Sequence, residues 1–314
     1  MSFHERTAMA ARGKWKGILR ELGVSDKALS GKHAPCPVCE GQDRFRFDDR
    51  EGRGTSICNV CGARDGMKLA MDVTGQSFRE VASRIDALVG NLKADTAPRR
   101  DMSEEDRTVI LRRVYGETRP IEPGDVAHRY LAGRHVDELI YPRALRFHPS
   151  MRDGDGGVRP AMVAMVGVHG EAKFCSMHRT FLRPDGSGKA DMASPRKLMP
   201  GAIPDGACVM LSDYTSGPVG IAEGIETAMS ASALFDMPVW AAINATMLAK
   251  WIPPQGCDEV AVFGDNDPGF GGQAAAFTLA HRLSGNGIQT TVHIPDVTGA
   301  DWADVWAMRK GGKA

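Results

Sequence analysis

The stretch Pro218-Val219-Gly220-Ile221-Ala222-Glu223-Gly224-Ile225-Glu226-Thr227-Ala228 decides the fold. A short apolar run closes on a carboxylate and a glycine, and a helical pattern follows from Glu226 to Phe235, so strand gives way to helix. The alternation repeats three times. Strands are predicted over Pro238–Ile243, Glu259–Phe263 and Ile288–Ile294, and helices over Ala245–Trp251, Gln273–Leu283 and Trp302–Arg309. Four such units predict a parallel, doubly wound sheet covered by helices. Ligands of these sheets bind beyond the carboxyl ends of the strands. Glu223 closes the first strand, Asp265-Asn266-Asp267 the third, and Asp301 and Asp304 follow the fourth.

Five carboxylates on one edge repel one another unless a cation joins them. Hard oxygen donors in a partly open arrangement suit Mg2+ or Mn2+, which complete their shells with water and substrate phosphate. Gly224, Gly269, Gly271 and Gly272 would let backbone approach phosphates closely. The plainer alternative makes Asp301 a helix cap, Asp304 a surface acid and Asp265 with Asp267 an acidic turn.

Upstream, Ala161–Val168 and Lys173–Phe181 flank a His169-Gly170-Glu171 turn and read as a β-hairpin. Its second strand puts Lys173, Cys175, Met177, Arg179 and Phe181 on one face, and the following loop adds Arg183, Lys189, Arg196 and Lys197. This is either a solvated basic edge or a groove for a nucleotide or template, with Arg179, Lys189 and Lys197 as the phosphate contacts. Gly188-Lys189-Ala190 is not a P-loop, which would need glycine at Arg183 and a hydroxyl at Ala190, so no ATP-driven motor is encoded here. Ser103 caps a helix through Val109, Leu111 and Val114, and a shorter helix covers Ala127 to Ala132.

The N-terminal part is organised by cysteine. Cys36-Pro-Val-Cys39 and Cys58-Asn-Val-Cys61 have the spacing of a four-thiolate zinc site, a closed shell that folds a module and leaves no position for chemistry. Gly41 and Gly62 follow the two knuckles, where positive φ is useful. His33 reads as a surface histidine, and Cys175, Cys208 and Cys257 as isolated small core residues. Between the knuckles Asp43-Arg44-Phe45-Arg46-Phe47-Asp48 alternates with period two, a strand. Phe45 and Phe47 could stack bases while Arg44 and Arg46 hold phosphates. Equally, the phenylalanines could fill a small core, and both could hold at once. Two helices, through Met67–Val73 and Phe78–Leu88, close the module near Gly90.

The chain has 314 residues, 42% hydrophobic and 25% charged, as expected of folded domains. Net charge is zero but segregated: residues 1–64 carry 12 basic against 8 acidic side chains, residues 173–197 carry 6 against 2, and residues 258–304 carry 1 against 7. That separation fits one surface for a polyanion and another for a metal. The absence of a membrane-length apolar run or an export signal predicts a cytoplasmic protein with no membrane partner. The expected fold is multidomain α+β and α/β. It comprises a β zinc ribbon (1–90), a tether (91–107), a basic mixed α+β part (108–215) and the doubly wound parallel sheet (216–314).

Residues 10–88 resemble the zinc-ribbon domain of phage- and plasmid-type DNA primases, through His33–Cys39, Gly41–Phe47, Cys58–Cys61, Asp65-Gly66 and Ser77-Phe78. Ile221–Ala228, Phe263–Asp267 and Asp301–Asp304 resemble the TOPRIM domain of primases, topoisomerases and some nucleases. The second resemblance implies that Glu223 acts as general acid/base and that Asp265, Asp267, Asp301 and Asp304 hold Mg2+ with it. The loop Pro268-Gly269-Phe270-Gly271-Gly272 is longer than the simplest pattern of that family. Together the resemblances imply a DNA primase, a nucleotidyltransferase of the DNA-directed RNA polymerase kind. It would make short RNA primers on single-stranded DNA from nucleoside triphosphates, its ribbon aiding template choice, beside a separate helicase. A metal-dependent nuclease and a non-catalytic single-strand-binding accessory are the alternatives.

Overall fold

The four strand–helix units form one sheet. In a computed structural model, placement is described for residues 7, 9–89, 103–137, 141–171, 173–199 and 203–311. Two compact units emerge, Met1–Met102 and Ser103–Ala314. Among the described residues, no helix is long and apolar enough to cross a membrane.

In the first unit, β1 (Ala34–Cys36), β2 (Glu40–Phe47), β3 (Ser56–Cys58) and β4 (Gly62–Arg64) make an antiparallel sheet in chain order. Helices α1 (Trp15–Glu21), α2 (Gly66–Thr74) and α3 (Phe78–Val89) supply the rest of its core. Phe45 and Phe47 are 0% and 1% exposed and join Trp15, Ile18, Leu19, Leu69 and Ile85 in one cluster. The base-stacking role considered for these two rings is therefore excluded. They are core, and α1, which the sequence reading left unassigned, adds Trp15, Ile18 and Leu19 to the same cluster.

The second unit begins with α4 (Glu104–Gly116), capped by the Ser103 hydroxyl at the Asp106 amide, 3.0 Å. Glu104, Glu105 and Asp106 are its acidic first turn, as expected of a helix capped at Ser103, and they overlap the end of the stretch read as a tether, of which residues 91–102 lie outside the described residues. Strands β5 (Arg119–Pro120), β6 (Leu145–Arg152), β7 (Val158–Gly167), β8 (Phe174–Phe181) and β9 (Arg196–Leu198) form an antiparallel sheet in chain order, with α5 (Val126–Ala132) following β5. One face, with Met177 and Phe181, packs with Leu111 and Val114 of α4. The opposite face, with Met162, Ala164 and Val166, shares a core with everything downstream.

That downstream part is the parallel sheet: β10 (Val219–Ala222), β11 (Val239–Ala241), β12 (Glu259–Phe263) and β13 (Gln289–His293) in the order β11-β10-β12-β13. Helices α6 (Ile225–Phe235), α7 (Ala245–Lys250), α8 (Gly271–Gly285) and α9 (Trp302–Arg309) follow their strands as expected. The two sheets are stitched by backbone: Cys208 exchanges hydrogen bonds with Gly167 of β7, 2.9 Å each way, and Val209 with Ala241 of β11, 2.8 and 3.0 Å. Middle and C-terminal parts thereby share one core from Ile121 to Leu283.

Candidate functional site

The end of β10 carries Glu223, and the end of β12 leads through Gly264 to Asp265. These strands are neighbours, pairing Ala222 with Phe263, so parallel pairing alone aligns the two carboxylates at one edge. Beside Glu223 the backbone is strained. Ile243 holds φ 78, rare for a β-branched residue, while donating its amide to the Glu223 carbonyl at 2.7 Å. Two residues on, the Ala245 amide favours the ionised form of the Glu223 carboxylate. Burial, reinforced by Asp267, still raises the Glu223 pKa above the ordinary glutamate value.

Asp265 is half-buried, and its Oδ1 atom is enclosed with no hydrogen-bond partner. Burial first, then Glu223, Asp301 and Asp267, push its pKa up to about 8. An enclosed oxygen facing like charges costs stability that a bound divalent ion would offset, so the donor set fits such an ion. Asn266 holds the segment after β13 in place. Its side chain donates to the Pro295 carbonyl at 2.7 Å, its amide to the Ala300 carbonyl at 3.0 Å, and Gln273 donates back to its Oδ1 at 2.8 Å. Asp301 is brought toward Asp265 this way. Asp267 is exposed and accepts the Gly272 amide at 2.9 Å. Gly272 is obligatory there, since a Cβ would meet the Asp265 carbonyl at 2.6 Å.

Asp301 and Asp304 form a reciprocal cap on α9. Asp301 Oδ1 accepts the Ala303 and Asp304 amides at 2.7 and 2.9 Å, and Asp304 Oδ2 accepts the Asp301 amide at 3.1 Å. Asp301 thus caps a helix, as the plainer alternative expects, and its charge also acts on Asp265. The structure gives Asp304 the capping contact and no such action. Among the described residues, the carboxylates do not draw within one 4.8 Å shell as the cysteines do. An open edge of this kind suits Mg2+, which binds through one or two carboxylates and takes the rest of its shell from water and phosphate.

The basic residues divide by strand alternation. Lys197 pairs in register with Arg179, and Arg196 with Thr180. Arg179 lies on the Met177 and Phe181 face, donating to the Leu198 carbonyl at 3.2 Å with its guanidinium over the Phe181 ring. Lys197 donates to the Asp153 carbonyl and to Asp155 at 2.8 and 2.9 Å. Neither is brought to the carboxylate edge. Lys189 is, its Nζ 3.9 Å from Glu226. Arg196 is as well, acting electrostatically on Glu223, Glu226 and Asp265.

Behind the edge lies a buried polar cluster. Glu226, 7% exposed, accepts the Tyr130 hydroxyl from α5 and faces Lys189. Burial pushes its pKa up, but Lys189 and Tyr130 outweigh this and hold it below the ordinary value. Arg134 lies against Tyr130 within reach of Glu226 and Asp301. His178, buried on β8 beside the same charges, is held neutral by burial with its pKa lowered to about 4. Sequence reasoning missed Glu226, Tyr130, Arg134 and His178. Only the position of Glu226, one helical turn past Glu223, could have flagged any of them.

In the first unit, the four cysteine sulfurs lie within 4.8 Å of one another, Cys36 to Cys61 at 4.0 Å and Cys39 to Cys58 at 3.7 Å. Tetrahedral zinc with bonds of ~2.3 Å needs sulfurs ~3.8 Å apart, so the donors fit. Gly41 and Gly62 have φ 80 and 81, the conformation expected past each knuckle. Burial raises the Cys61 thiol, but Arg64 beside it wins and brings it down to about 7; Arg64 is itself held by Asp72 at 2.6 Å. His33 is a surface residue, its Nδ1 2.8 Å from the Asp43 carbonyl. Arg44 and Arg46 are half-buried on the side of β2 away from the phenylalanines, Arg44 folded over Gly41 and Arg46 4.0 Å from Asp48.

Two family models match the stretches that hold these residues. Residues 31–67 match the zinc-binding domain of primase-helicase, and residues 218–313 match the Toprim domain. The chain joins a primase-type zinc ribbon to a Toprim domain. Residues 105–210, between them, match a domain of unknown function. Among solved structures, the zinc-binding and RNA polymerase domains of the Aquifex aeolicus primase align with 99% of this chain and 83% of theirs, at 14% identity and a TM-score of 0.42. The primase fragment of the bacteriophage T7 primase-helicase aligns with 89% of this chain and 95% of its own, at 14% identity and a TM-score of 0.39. Glu223, Asp265 and Asp267 lie within the stretch that matches the Toprim domain, and the four clustered cysteines within the stretch that matches the zinc-binding domain.

Proposed function

We propose that the chain is a DNA primase, joining nucleoside triphosphates into short RNA primers on single-stranded DNA. The observation that carries this reading is the Toprim edge itself, where Asp265, with an enclosed and unpartnered oxygen, faces Glu223, Asp267 and Asp301 while Lys189 and Arg196 stand opposite. Carboxylates for a cation within electrostatic reach of cations for phosphates suit phosphoryl transfer from a triphosphate.

Asp265 and Asp267 would hold Mg2+ or Mn2+ with Glu223 and Asp301, and Asp304 would support them through the α9 cap. A bound divalent ion would neutralise charge developing on the transferred phosphoryl group. Glu223, its pKa raised by burial, is suited to take the proton of the attacking 3′-hydroxyl. Lys189 and Arg196 orient the triphosphate, Lys189 being presented by its contact with Glu226. The zinc ribbon aids template choice, with Arg44 and Arg46 as its phosphate contacts. A separate helicase would open the duplex. In this reading the catalytic unit divides near residue 215 into a basic part that handles template and nucleotide and the Toprim part that holds metal.

The test is Arg196→Ala against Lys197→Ala, neighbours that strand alternation sends to opposite faces. A hydrogen bond to a charged group is worth ~1.5–3 kcal/mol, so Arg196→Ala should raise the KM for nucleoside triphosphate about ten- to hundredfold, with a smaller fall in kcat. Lys197→Ala should leave it within about twofold. Equal effects at the two positions would contradict this assignment of the phosphate side.

A further inference from the structure

The loop after the aspartates, Asp267-Pro268-Gly269-Phe270-Gly271-Gly272, carries a residue with no role so far. Phe270 is 69% exposed, the most exposed large hydrophobic side chain among the described residues. Its backbone sits at φ 57, a left-handed conformation that glycine adopts freely and phenylalanine does not. Among the described residues its ring meets no other aromatic ring and no cation. The side chain therefore adds little to the core and costs conformational strain in a loop that already has three glycines.

Nor is the loop slack. The Phe270 amide donates to the Asp267 carbonyl at 2.9 Å, the Gly272 amide to the Asp267 carboxylate at 2.9 Å, and the Ala274 amide to the Phe270 carbonyl at 2.9 Å. Gly272 is pressed against the Asp265 backbone too closely for any Cβ. An exposed aromatic ring is thus fixed one turn of chain away from the carboxylates that would take the metal. Strain held by surrounding hydrogen bonds at such a place is a mark of function.

We propose that Phe270 is a stacking platform for a nucleobase at the catalytic edge. This rests on reading that edge as a site of nucleotidyl transfer. The cations and the metal ligands there address phosphates only, so the base of any nucleotide held at the edge needs its own contact. An exposed ring supplies one without regard to base identity, worth ~1–3 kcal/mol per base. The base belongs either to the nucleic acid strand or to the incoming nucleoside triphosphate, and both present the same π-face.

The full chain with Phe270→Ala, Phe270→Trp, Phe270→Leu and Phe277→Ala tests this by binding alone. Phe277 is a 58% exposed ring on α8, and at ~1.5 Å rise per residue it lies ~10 Å further along. Binding of fluorescein-labelled oligothymidylate is read by anisotropy, and binding of radiolabelled ATP with Mg2+ by equilibrium dialysis. Phe270→Ala should weaken one of them about five- to hundredfold with an unchanged melting temperature. Phe270→Trp should restore it, Phe270→Leu should not, and Phe277→Ala should bind as wild type. Loss confined to the oligonucleotide assigns the platform to the strand, and loss confined to ATP assigns it to the incoming base. Wild-type binding of both probes by Phe270→Ala, full rescue by leucine, or an equal loss in Phe277→Ala would overturn the proposal. A wild-type chain that binds both probes yet makes no primers overturns the primase reading and leaves the Phe270 result standing.

Discussion

Replacing Asp265 by asparagine should stabilise the chain when no divalent cation is present. The carboxylate is half-buried, its Oδ1 lacks a partner, and Glu223, Asp267 and Asp301 surround it, so its pKa rises to about 8 from the ordinary 3.8. A folded-state pKa above the unfolded one means that unfolding releases a proton, so stability falls as pH rises from about 4 to about 8. At ~1.4 kcal/mol per pKa unit the shift bounds the penalty at ~6 kcal/mol, and relaxation with water entry would leave about 2 kcal/mol. Asparagine keeps the shape and removes the charge. In a unit of this size ~2 kcal/mol moves the melting temperature by ~4–8 °C. Thermal melts of wild type and Asp265→Asn, without Mg2+ or Mn2+, should therefore coincide near pH 4 and separate by that amount at pH 9, the variant being higher. Adding Mg2+ at pH 9 should raise the wild type and leave the variant nearly unmoved. A variant that melts below wild type at pH 9 would refute the reasoning, because Asp265 would then be held by a favourable partner.

The remaining predictions concern the zinc ribbon and the buried cluster. Zinc removal by chelation, or Cys36→Ser, should unfold the first unit, whose strands β1 to β4 are organised around the four thiolates. Loss of protection in residues 34–64 by hydrogen exchange, with 103–311 unaffected, is the expected readout. Glu226→Gln keeps an acceptor for the Tyr130 hydroxyl but leaves Lys189 without its partner, and should cost ~1–2 kcal/mol by urea denaturation at pH 7; Glu226→Ala, which strands Tyr130 as well, should cost ~3–4 kcal/mol. Because the folded pKa of Glu226 is depressed, its contribution is present above the ordinary glutamate value and fades as pH falls through the folded one, so wild type and Glu226→Gln should converge below about pH 4.

Much of this was legible because it rests on local rules. The strand–helix alternation after Pro218 carries its own periodicity, and once the strands are parallel, Glu223 and Asp265 must share an edge. The zinc knuckles are legible for the same reason, since two residues between thiolates fix a turn. What escaped depends on partners remote in sequence. Phe45 and Phe47 could be core or stacking surface until their burial in one cluster with α1 was seen. Choosing among Arg179, Lys189, Arg196 and Lys197 required the register of β8 against β9, and a shift of one residue exchanges the two faces. The Tyr130–Glu226 contact spans the join between two sheets, and no pattern in either stretch announces that an acid there is buried. Asp301 and Asp304 illustrate a further limit, because a capping signature and a metal signature can occupy the same residues.

The most direct test of the central claim is incorporation of labelled nucleoside triphosphates on random-sequence single-stranded DNA with Mg2+ or Mn2+, comparing wild type with Glu223→Gln. The account predicts short labelled products from the wild type and a loss of at least ~100-fold in the variant, the usual scale for a general base. Wild type that yields no product but cuts the template, or a Glu223→Gln variant that synthesises at the wild-type rate, would contradict it.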